Sequence, residues 1–382
     1  MAFGKASVAM AEGLGAVIPD YPLDGILVSP DEAQKRLPGW KTFAGGHPTP
    51  NEGSFAVGRA ILDRLARCDK HSLIFFLISG GGSSLVEKPL DSRWTLGDFR
   101  ALHSALVTCG ASIEEINVIR KHLSATKGGR LATAAPEAMK ITLAVSDVPP
   151  GEESALASGP TLPDPSTVAD ARRIVREYKL AEQFPAPLRA AFREASLPET
   201  PKAGHPAFDR AHFVKILGEH ELLHAAHHAC ESEGYLCVCD NTTNNWPIEK
   251  AASHLLSLLE SQKRENSGKR VAVLASGEVS SPVMGNGIGG RNSAFVLGCV
   301  PKIAGKPITV LSAGTDGMDG NSPAAGAAAD GKTASRALAA NIVPEEFFAR
   351  SDAYSFFAQL GNTVLTGPTG NNLRDLRILL AE

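Results

Sequence analysis

The chain has 382 residues, with 38 Lys and Arg against 41 Asp and Glu, a net charge of −3 and 43% hydrophobic residues. That length is enough for two or three domains with full-sized cores, and the charge offers no basic field for nucleic acid or an anionic membrane surface. The six cysteines form no CxxC pair, the first residues hold no apolar signal-peptide core, and no apolar run approaches the ~20 residues of a membrane span. The composition therefore predicts a reduced, cytoplasmic, globular protein.

Gly4-Lys5-Ala6 leads into a predicted helix over 6–14, and a glycine-lysine pair at a helix start suits an anion. Residues 24–29 predict a short strand. Gly45-Gly46-His47-Pro48-Thr49-Pro50-Asn51-Glu52-Gly53-Ser54 predicts a rigid polar loop whose end caps a helix over 54–67. The unbroken apolar run Leu73-Ile74-Phe75-Phe76-Leu77-Ile78 reads as a strand buried on both faces, as in a parallel sheet. It stops in Ser79-Gly80-Gly81-Gly82-Ser83-Ser84. Glycines there allow positive φ and close approach to bare N–H groups, and the serines add hydroxyls. A glycine turn at the C-terminal end of a parallel strand is where open α/β sheets take their ligand, and an anion such as phosphate is the expected guest.

Residues 96–109 and 112–126 follow as predicted helices. Asn117, Arg120, Lys121, Ser124 and Lys127 keep i, i+3, i+4 spacing and so share a face, read as a solvated charged surface. Residues 141–145 predict another buried strand, ending in Ser146-Asp147. A proline-rich, charged segment over 162–210 carries helical patterns at 169–178 and 188–195, and a domain boundary is expected near its end. Strand and helix then alternate at 213–217, 220–233, 235–239, 248–262 and 270–275. Strand ends again carry polar residues, Ser276-Gly277-Glu278 and Gly314-Thr315-Asp316-Gly317. This alternation predicts a second α/β domain.

Three motif matches are discounted on context. His220-Glu221-Leu222-Leu223-His224 fits HExxH, but a third zinc ligand at the required spacing is missing, so zinc is not an expected cofactor. Gly326-Ala327-Ala328-Ala329-Asp330-Gly331-Lys332-Thr333 fits the Walker A pattern, but turn residues precede it where a strand is needed. Gly285-Asn286-Gly287-Ile288-Gly289-Gly290 fits GxGxxG, yet the nearest predicted strand ends at Ala275 and no acid stands about 20 residues on, so a nicotinamide site is not expected. A phosphate or carboxylate site remains expected there, because Arg291-Asn292 follow and a helix starts.

Gly4-Lys5-Ala6, Gly46-His47-Pro48, Ser79-Gly80-Gly81-Gly82-Ser83, Asn117 through Arg120-Lys121-His122-Leu123-Ser124 to Lys127-Gly128-Gly129, Ser146-Asp147, Ser158-Gly159-Pro160-Thr161, Gly285 through Gly289-Gly290-Arg291-Asn292, Gly314-Thr315-Asp316-Gly317 with Asp319-Gly320, and Thr366-Gly367-Pro368-Thr369-Gly370 occur in this order. Together they resemble the glycerate 2-kinases of the MOFRL type, some of which carry the older name hydroxypyruvate reductase. The resemblance covers nearly the whole chain. It implies an α/β fold of two domains: a Rossmann-like parallel-sheet domain over 1–207 and a MOFRL α/β domain over 208–382, with an active site in the cleft between them. It also implies transfer of the ATP γ-phosphoryl group to the 2-hydroxyl of D-glycerate with a divalent metal, Mg2+, and is compatible with a homodimer.

On this resemblance Lys5 and Arg291 stabilise charge. Ser79, Gly80, Gly81, Gly82, Ser83 and Ser84, with His47, Arg120, Lys121 and Asn292, bind phosphate or the glycerate carboxylate. Asp147, Glu278 and Asp316 lie at strand ends, to hold the metal or take the hydroxyl proton; Asp147 is assigned the catalytic part, Glu278 and Asp316 the metal. Two departures stand out. In the family a helix and a first strand precede the Gly-Lys-Ala turn, whereas here only Met1-Ala2-Phe3 do, so the first strand is expected to be missing or the start misplaced. Ser280-Ser281-Pro282 also replaces a strand-like stretch, and proline cannot donate to a ladder. The alternatives are an NAD(P)H-dependent hydroxypyruvate reductase, opposed by the context of the GxGxxG match, and a catalytically impaired ligand-binding relative, suggested by the short start.

Overall fold

In a computed structural model, which describes residues 1–30, 37–194 and 197–382, the chain forms two units, Met1–Ile216 and Leu217–Glu382. The boundary expected at 207/208 falls in the short turn Pro206–Phe208. Ala195, the end of one expected helix, lies outside the described residues.

The sheet of the first unit runs β3 (Trp40–Ala44), β2 (Gly25–Ser29), β1 (Ala2–Phe3), β4 (Leu73–Ser79), β5 (Met139–Val145), β6 (Ala211–Leu217). Pairing from β3 through β5 is parallel. The first strand is present, which corrects the expectation that it is missing. It has only two residues, yet it lies mid-sheet, with Ala2 opposite Leu27 and Leu77 and Phe3 opposite Val28 and Ile78. Met1 extends this ladder: its amine donates to the Phe75 carbonyl at 2.7 Å and its carbonyl accepts from Leu77 N–H at 2.8 Å. Two long neighbours satisfy the short strand on both edges, so Lys5 follows from a fixed strand end and not from a free terminus.

Side chains alternate across this sheet as the pleat requires. Phe3, Val28, Phe76 and Ile78 pack with Val57, Ile61 and Leu65 of helix α2 (Glu52–Leu65). Ala2, Leu27 and Leu77 pack with Ala11 of helix α1 (Ser7–Val17) on the other face. Burial on both faces is why β4 reads as a continuous apolar run. Asn51 caps α2, its side chain accepting Ser54 N–H in a reciprocal box. The remaining helices are α3 (Gly82–Leu85), α4 (Leu96–Thr108), α5 (Ile113–Leu123), α6 (Arg130–Thr133), α7 (Val168–Glu177) and α8 (Ala186–Arg193). Thr95, Ser112 and Thr167 cap α4, α5 and α7 in the same way. Phe99, Leu106, Ile119, Ile174 and Leu188 build a second core among α4, α5, α7 and α8.

The sheet of the second unit is mixed. It runs β11 (Thr363–Val364), β10 (Gly326–Asp330), β9 (Ile308–Gly314), β12 (Asp375–Ala381), β8 (Arg270–Ser276), β7 (Tyr235–Cys239). Only β7 and β8 pair in parallel; the other pairings are antiparallel. Helices α10 (Ile248–Glu265) and α11 (Arg291–Ile303) bury one face around Leu255, Val273, Phe295, Val310 and Leu379. Leu223 and Ala226 of α9 (Glu219–Ser232) cover Leu274, Leu376 and Ile378 on the other. The Walker-like stretch is β10 itself. Its turn is closed internally, since Asp330 Oδ1 accepts Lys332 N–H and the Thr333 hydroxyl, each at 2.9 Å.

Candidate functional site

In the first unit β4 delivers the glycine turn. The buried Ser79 accepts Ala6 N–H on its hydroxyl at 2.9 Å, and the Gly80 carbonyl accepts Lys5 N–H at 2.9 Å. The turn is thereby laid along Gly4-Lys5-Ala6. Glycine is required by close approach at two positions: a Cβ on Gly4 would lie 2.2 Å from Ser79 Oγ, and one on Gly80 would lie 2.0 Å from Asp147 Oδ2. The Asp147 carboxylate therefore sits directly against the turn. Gly81 takes φ +82°, and a Cβ there would lie 3.4 Å from His47 Cε1 and 3.5 Å from Lys5 Cγ. His47 Nδ1 is 3.1 Å from Ser84 Oγ, and Ser83 Oγ is 2.7 Å from Ser158 Oγ, which donates to Asn117 Oδ1 at 3.2 Å. Lys5, His47, Asp147 and Ser79 to Ser84, predicted from separate stretches of sequence, thus converge on one turn. Burial, then the charge of Lys5, lowers the pKa of His47.

A pocket of about 270 Å3 adjoins the turn. Gly81, Ser83 and Ser84 form its polar end, and Phe99, Leu102 and Leu106 of α4 form an apolar wall. Arg120 also lines it, its Nη2 3.0 Å from His103 Nδ1. Burial, then the Arg120 charge, lowers His103 to about 4, so this imidazole is neutral and accepts from the guanidinium. Among the described residues no carboxylate pairs with Arg120. His103 was not singled out by the sequence; its i+3 and i+4 apolar neighbours on α4 mark the helix as core and hide the one polar residue turned to a pocket.

The shared polar face of α5 is not solvated, which corrects that expectation. Asn117, Lys121, Ser124 and Lys127 are all buried, and α5 ends at Leu123, so Ser124 and Lys127 lie beyond it. Lys127 Nζ donates to Glu87 Oε2 at 2.6 Å, and the Ser124 hydroxyl donates to Glu87 Oε1 at 2.5 Å. Lys121 pairs with the buried Asp164 at 3.1 Å and does not line the pocket. Helical spacing identifies a face; it carries no information on what covers that face.

In the second unit the turn Gly289-Gly290 opens α11. The first N–H groups of this helix do not wait for an external anion, as the sequence suggested. The buried Asp319 carboxylate accepts from Gly290, Asn292 and Ser293 N–H at 3.1, 2.9 and 2.8 Å, and from the Ser293 hydroxyl at 2.5 Å. Burial raises the pKa of Asp319 despite those bonds. Asn292 is buried as well, its Oδ1 accepting the Ser312 hydroxyl at 2.6 Å. Arg291 is the group this turn presents, with its side chain 37% exposed. Its Nε and Nη2 span Asp375 at 2.5 and 3.1 Å, and Nη2 also meets Glu278 Oε1 at 2.9 Å. Burial alone would lower the pKa of Arg291; the bond and charge of Asp375, then the charge of Glu278, outweigh it and hold it above the usual guanidinium value.

Glu278, expected as a metal ligand, is thus paired with a guanidinium. Asp316 follows β9 in a turn where its Oδ1 accepts Met318 N–H at 3.1 Å. Among the described residues no group of three or more His, Cys, Asp and Glu is placed to hold a metal ion. His220 and His224 stack on α9 with ring centroids 6.3 Å apart, and His220, 79% exposed, pairs with Glu221 at 3.4 Å. Asp375 and Arg377 were missed. Their signal is two charged residues at i and i+2 entering an apolar C-terminal strand, on one face of it.

Two family profiles match the chain: a domain of unknown function, DUF4147, over residues 1–193, and the MOFRL family over residues 271–375. A D-glycerate 2-kinase of Thermotoga maritima is 33% identical, over 99% of this chain and 89% of its own. An Agrobacterium vitis protein named as a hydroxypyruvate reductase is 35% identical, over 99% of this chain and 85% of its own. The crystal structure of a glycerate kinase from Thermotoga maritima matches with a TM-score of 0.89 at 32% identity, covering 100% of this chain and 90% of that one.

Proposed function

We propose, from the membership of this chain in the glycerate 2-kinase family of the MOFRL type, that it transfers the γ-phosphoryl group of ATP to the 2-hydroxyl of D-glycerate, giving 2-phosphoglycerate and ADP. The observation that carries the reading is the glycine turn at the end of β4, flanked by Lys5, His47 and the Asp147 carboxylate. Phosphoryl transfer asks little covalent chemistry of a protein; it asks for positioning and for positive charge around a loose transition state. The glycerate O2 forms the new bond to phosphorus as the bond to the ADP oxygen breaks, and Asp147 takes the hydroxyl proton. Lys5 and the turn N–H groups hold phosphate oxygens. Arg291 is the proposed second cation for the charge of the phosphates.

Arg120, Ser83 and Ser84 are proposed anion contacts at the polar end of the pocket. Its apolar wall suits the ring system of the nucleotide, since glycerate has no apolar surface to place there. Mg2+ binds through phosphate oxygens with one or two carboxylates and keeps several waters, so a three-carboxylate cluster is not required of the protein. Asp316, in the turn after β9, is the proposed carboxylate. When bound, the ion supplies charge neutralisation on the phosphates. No described helix is long and apolar enough to cross a membrane, and all six cysteines are free thiols, which supports a reducing, cytoplasmic setting.

The reductase reading draws on the printed name of the Agrobacterium vitis relative. Against it, the glycine turn before α11 has its helix N–H groups engaged by Asp319. One assay separates the two: ADP formation with ATP, Mg2+ and D-glycerate, alongside NADH and NADPH oxidation with hydroxypyruvate. ADP formation with a 2-phosphoglycerate signal in the phosphorus NMR spectrum is expected. Nicotinamide oxidation without ADP formation overturns the proposal.

A further inference from the structure

We infer that Arg377 is a positioning residue for the Glu278–Arg291–Asp375 cluster, and that its buried charge serves the reaction and not the fold. The inference rests on the kinase reading above. Arg377 lies in the central strand β12 and is 0% exposed. It stands two residues after Asp375, on the face that α11 covers. Its guanidinium lies 5.7 Å from the Phe295 ring centroid, and Phe295 follows Arg291 by one turn of α11. The strand pair Asp375 and Arg377 therefore faces the helix pair Arg291 and Phe295.

Arg377 Nη2 donates to the carbonyls of Ser276 and Gly277 at 2.5 and 3.1 Å. These are the two carbonyls at which β8 ends and the chain turns, with Gly277 at φ +84°, immediately before Glu278. The neighbouring Arg374 works from the other side. Its Nη2 donates to Asn244 Oδ1 at 2.5 Å, and that same oxygen accepts Glu278 N–H at 3.0 Å. The backbone that presents Glu278 to Arg291 is thus held directly by the wholly buried Arg377 and, through Asn244, by Arg374.

As a structural element Arg377 is a poor choice. Its Nε and Nη1 are buried with no acceptor among the described residues. Burial, only partly offset by Asp375, brings its pKa down to about 10. An apolar side chain of similar length would fill the same space beside Phe295 without stranding two donors, and such replacements of buried charge are commonly neutral or stabilising. What methionine could not do is hold the Ser276 and Gly277 carbonyls or place a second positive charge behind Asp375. Proteins keep costly groups of this kind where a site needs them.

The test compares Arg377→Met and Arg377→Lys with the wild type by thermal melting and by steady-state kinetics with ATP, Mg2+ and D-glycerate. Arg377→Met is expected to melt at or above the wild-type temperature, to lose at least about tenfold in kcat, and to keep KM for glycerate within about twofold. Arg377→Lys, which retains a charge and a donor, is expected to recover part of the lost kcat. A methionine variant that fails to fold or melts lower overturns the inference, because the fold then needs the charge. A stable methionine variant with wild-type kcat overturns it from the other side. Wild-type protein with no turnover refutes the reaction itself and this inference with it, whereas wild-type turnover with an unaffected Arg377→Met refutes the inference alone.

Discussion

Arg291→Lys separates a transition-state role for this side chain from a ground-state one. The guanidinium makes two bonds to Asp375 and a charge contact with Glu278 at 2.9 Å. A lysine keeps the charge but has a single nitrogen, so it cannot span both Asp375 oxygens and also meet Glu278. Bonds to charged groups are each worth about 1.5–3 kcal/mol when buried, but Arg291 and Glu278 are 37% and 38% exposed, which screens the second pair. A stability loss of about 1–2 kcal/mol follows, or about 2–8 °C in Tm for a unit of this size. Against a typical stability of about 5–15 kcal/mol, nearly all of the variant stays folded, so a large fall in rate cannot be ascribed to unfolding. If the fork acts on the migrating phosphoryl group, kcat falls by about 10²-fold, equivalent to about 3 kcal/mol, with KM for glycerate little changed. The assay is steady-state kinetics at saturating ATP with glycerate varied, beside a melt followed by circular dichroism. A raised KM with kcat intact would show that Arg291 binds the glycerate carboxylate in the ground state. Wild-type kcat and KM would remove Arg291 from the reaction and leave Lys5 as the main cation.

Lys127→Met strands the buried Glu87 and should cost about 3–5 kcal/mol by urea denaturation; Lys127→Met with Glu87→Gln should recover most of it, and a single variant costing under about 1 kcal/mol would refute the pairing. His103 has a folded pKa of about 4 against an ordinary 6.5. The unfolded chain therefore binds the extra proton first, so this group's contribution to stability is full above about pH 6.5 and is lost as pH falls towards 4. His103→Gln should flatten that part of the stability–pH curve, and an unchanged slope would count against a neutral, buried imidazole. Lys332→Ala should leave KM for ATP unaltered, because the Walker-like stretch is a strand whose turn closes on Asp330; loss of nucleotide binding in a folded variant would reverse that assignment.

Sequence alone determined the features whose causes are local. The apolar run of β4 declares burial on both faces because no polar residue alternates within it. The glycine turn after it is legible because three consecutive glycines end the apolar run, where Gly81 takes a positive φ that favours glycine. The starts of α2, α4, α5 and α7 are written in capping residues three positions from their partners. Other features were decided only by the tertiary structure, since their causes lie far along the chain. A two-residue strand such as β1 has no periodicity to read, and exists because β2 and β4 offer a ladder on each side. The polar face of α5 became an interior one because Asp164 reaches Lys121 from 43 residues away, while Lys127, just past the helix end, meets Glu87 from 40 residues away. The N-terminus of α11 looked open to phosphate until Asp319, 26 residues beyond Ser293, filled it. Arg291 was visible as a cation after a glycine turn, but the carboxylate that aims it, Asp375, arrives from 84 residues on by strand order in a mixed sheet, and strand order is not encoded in any local pattern.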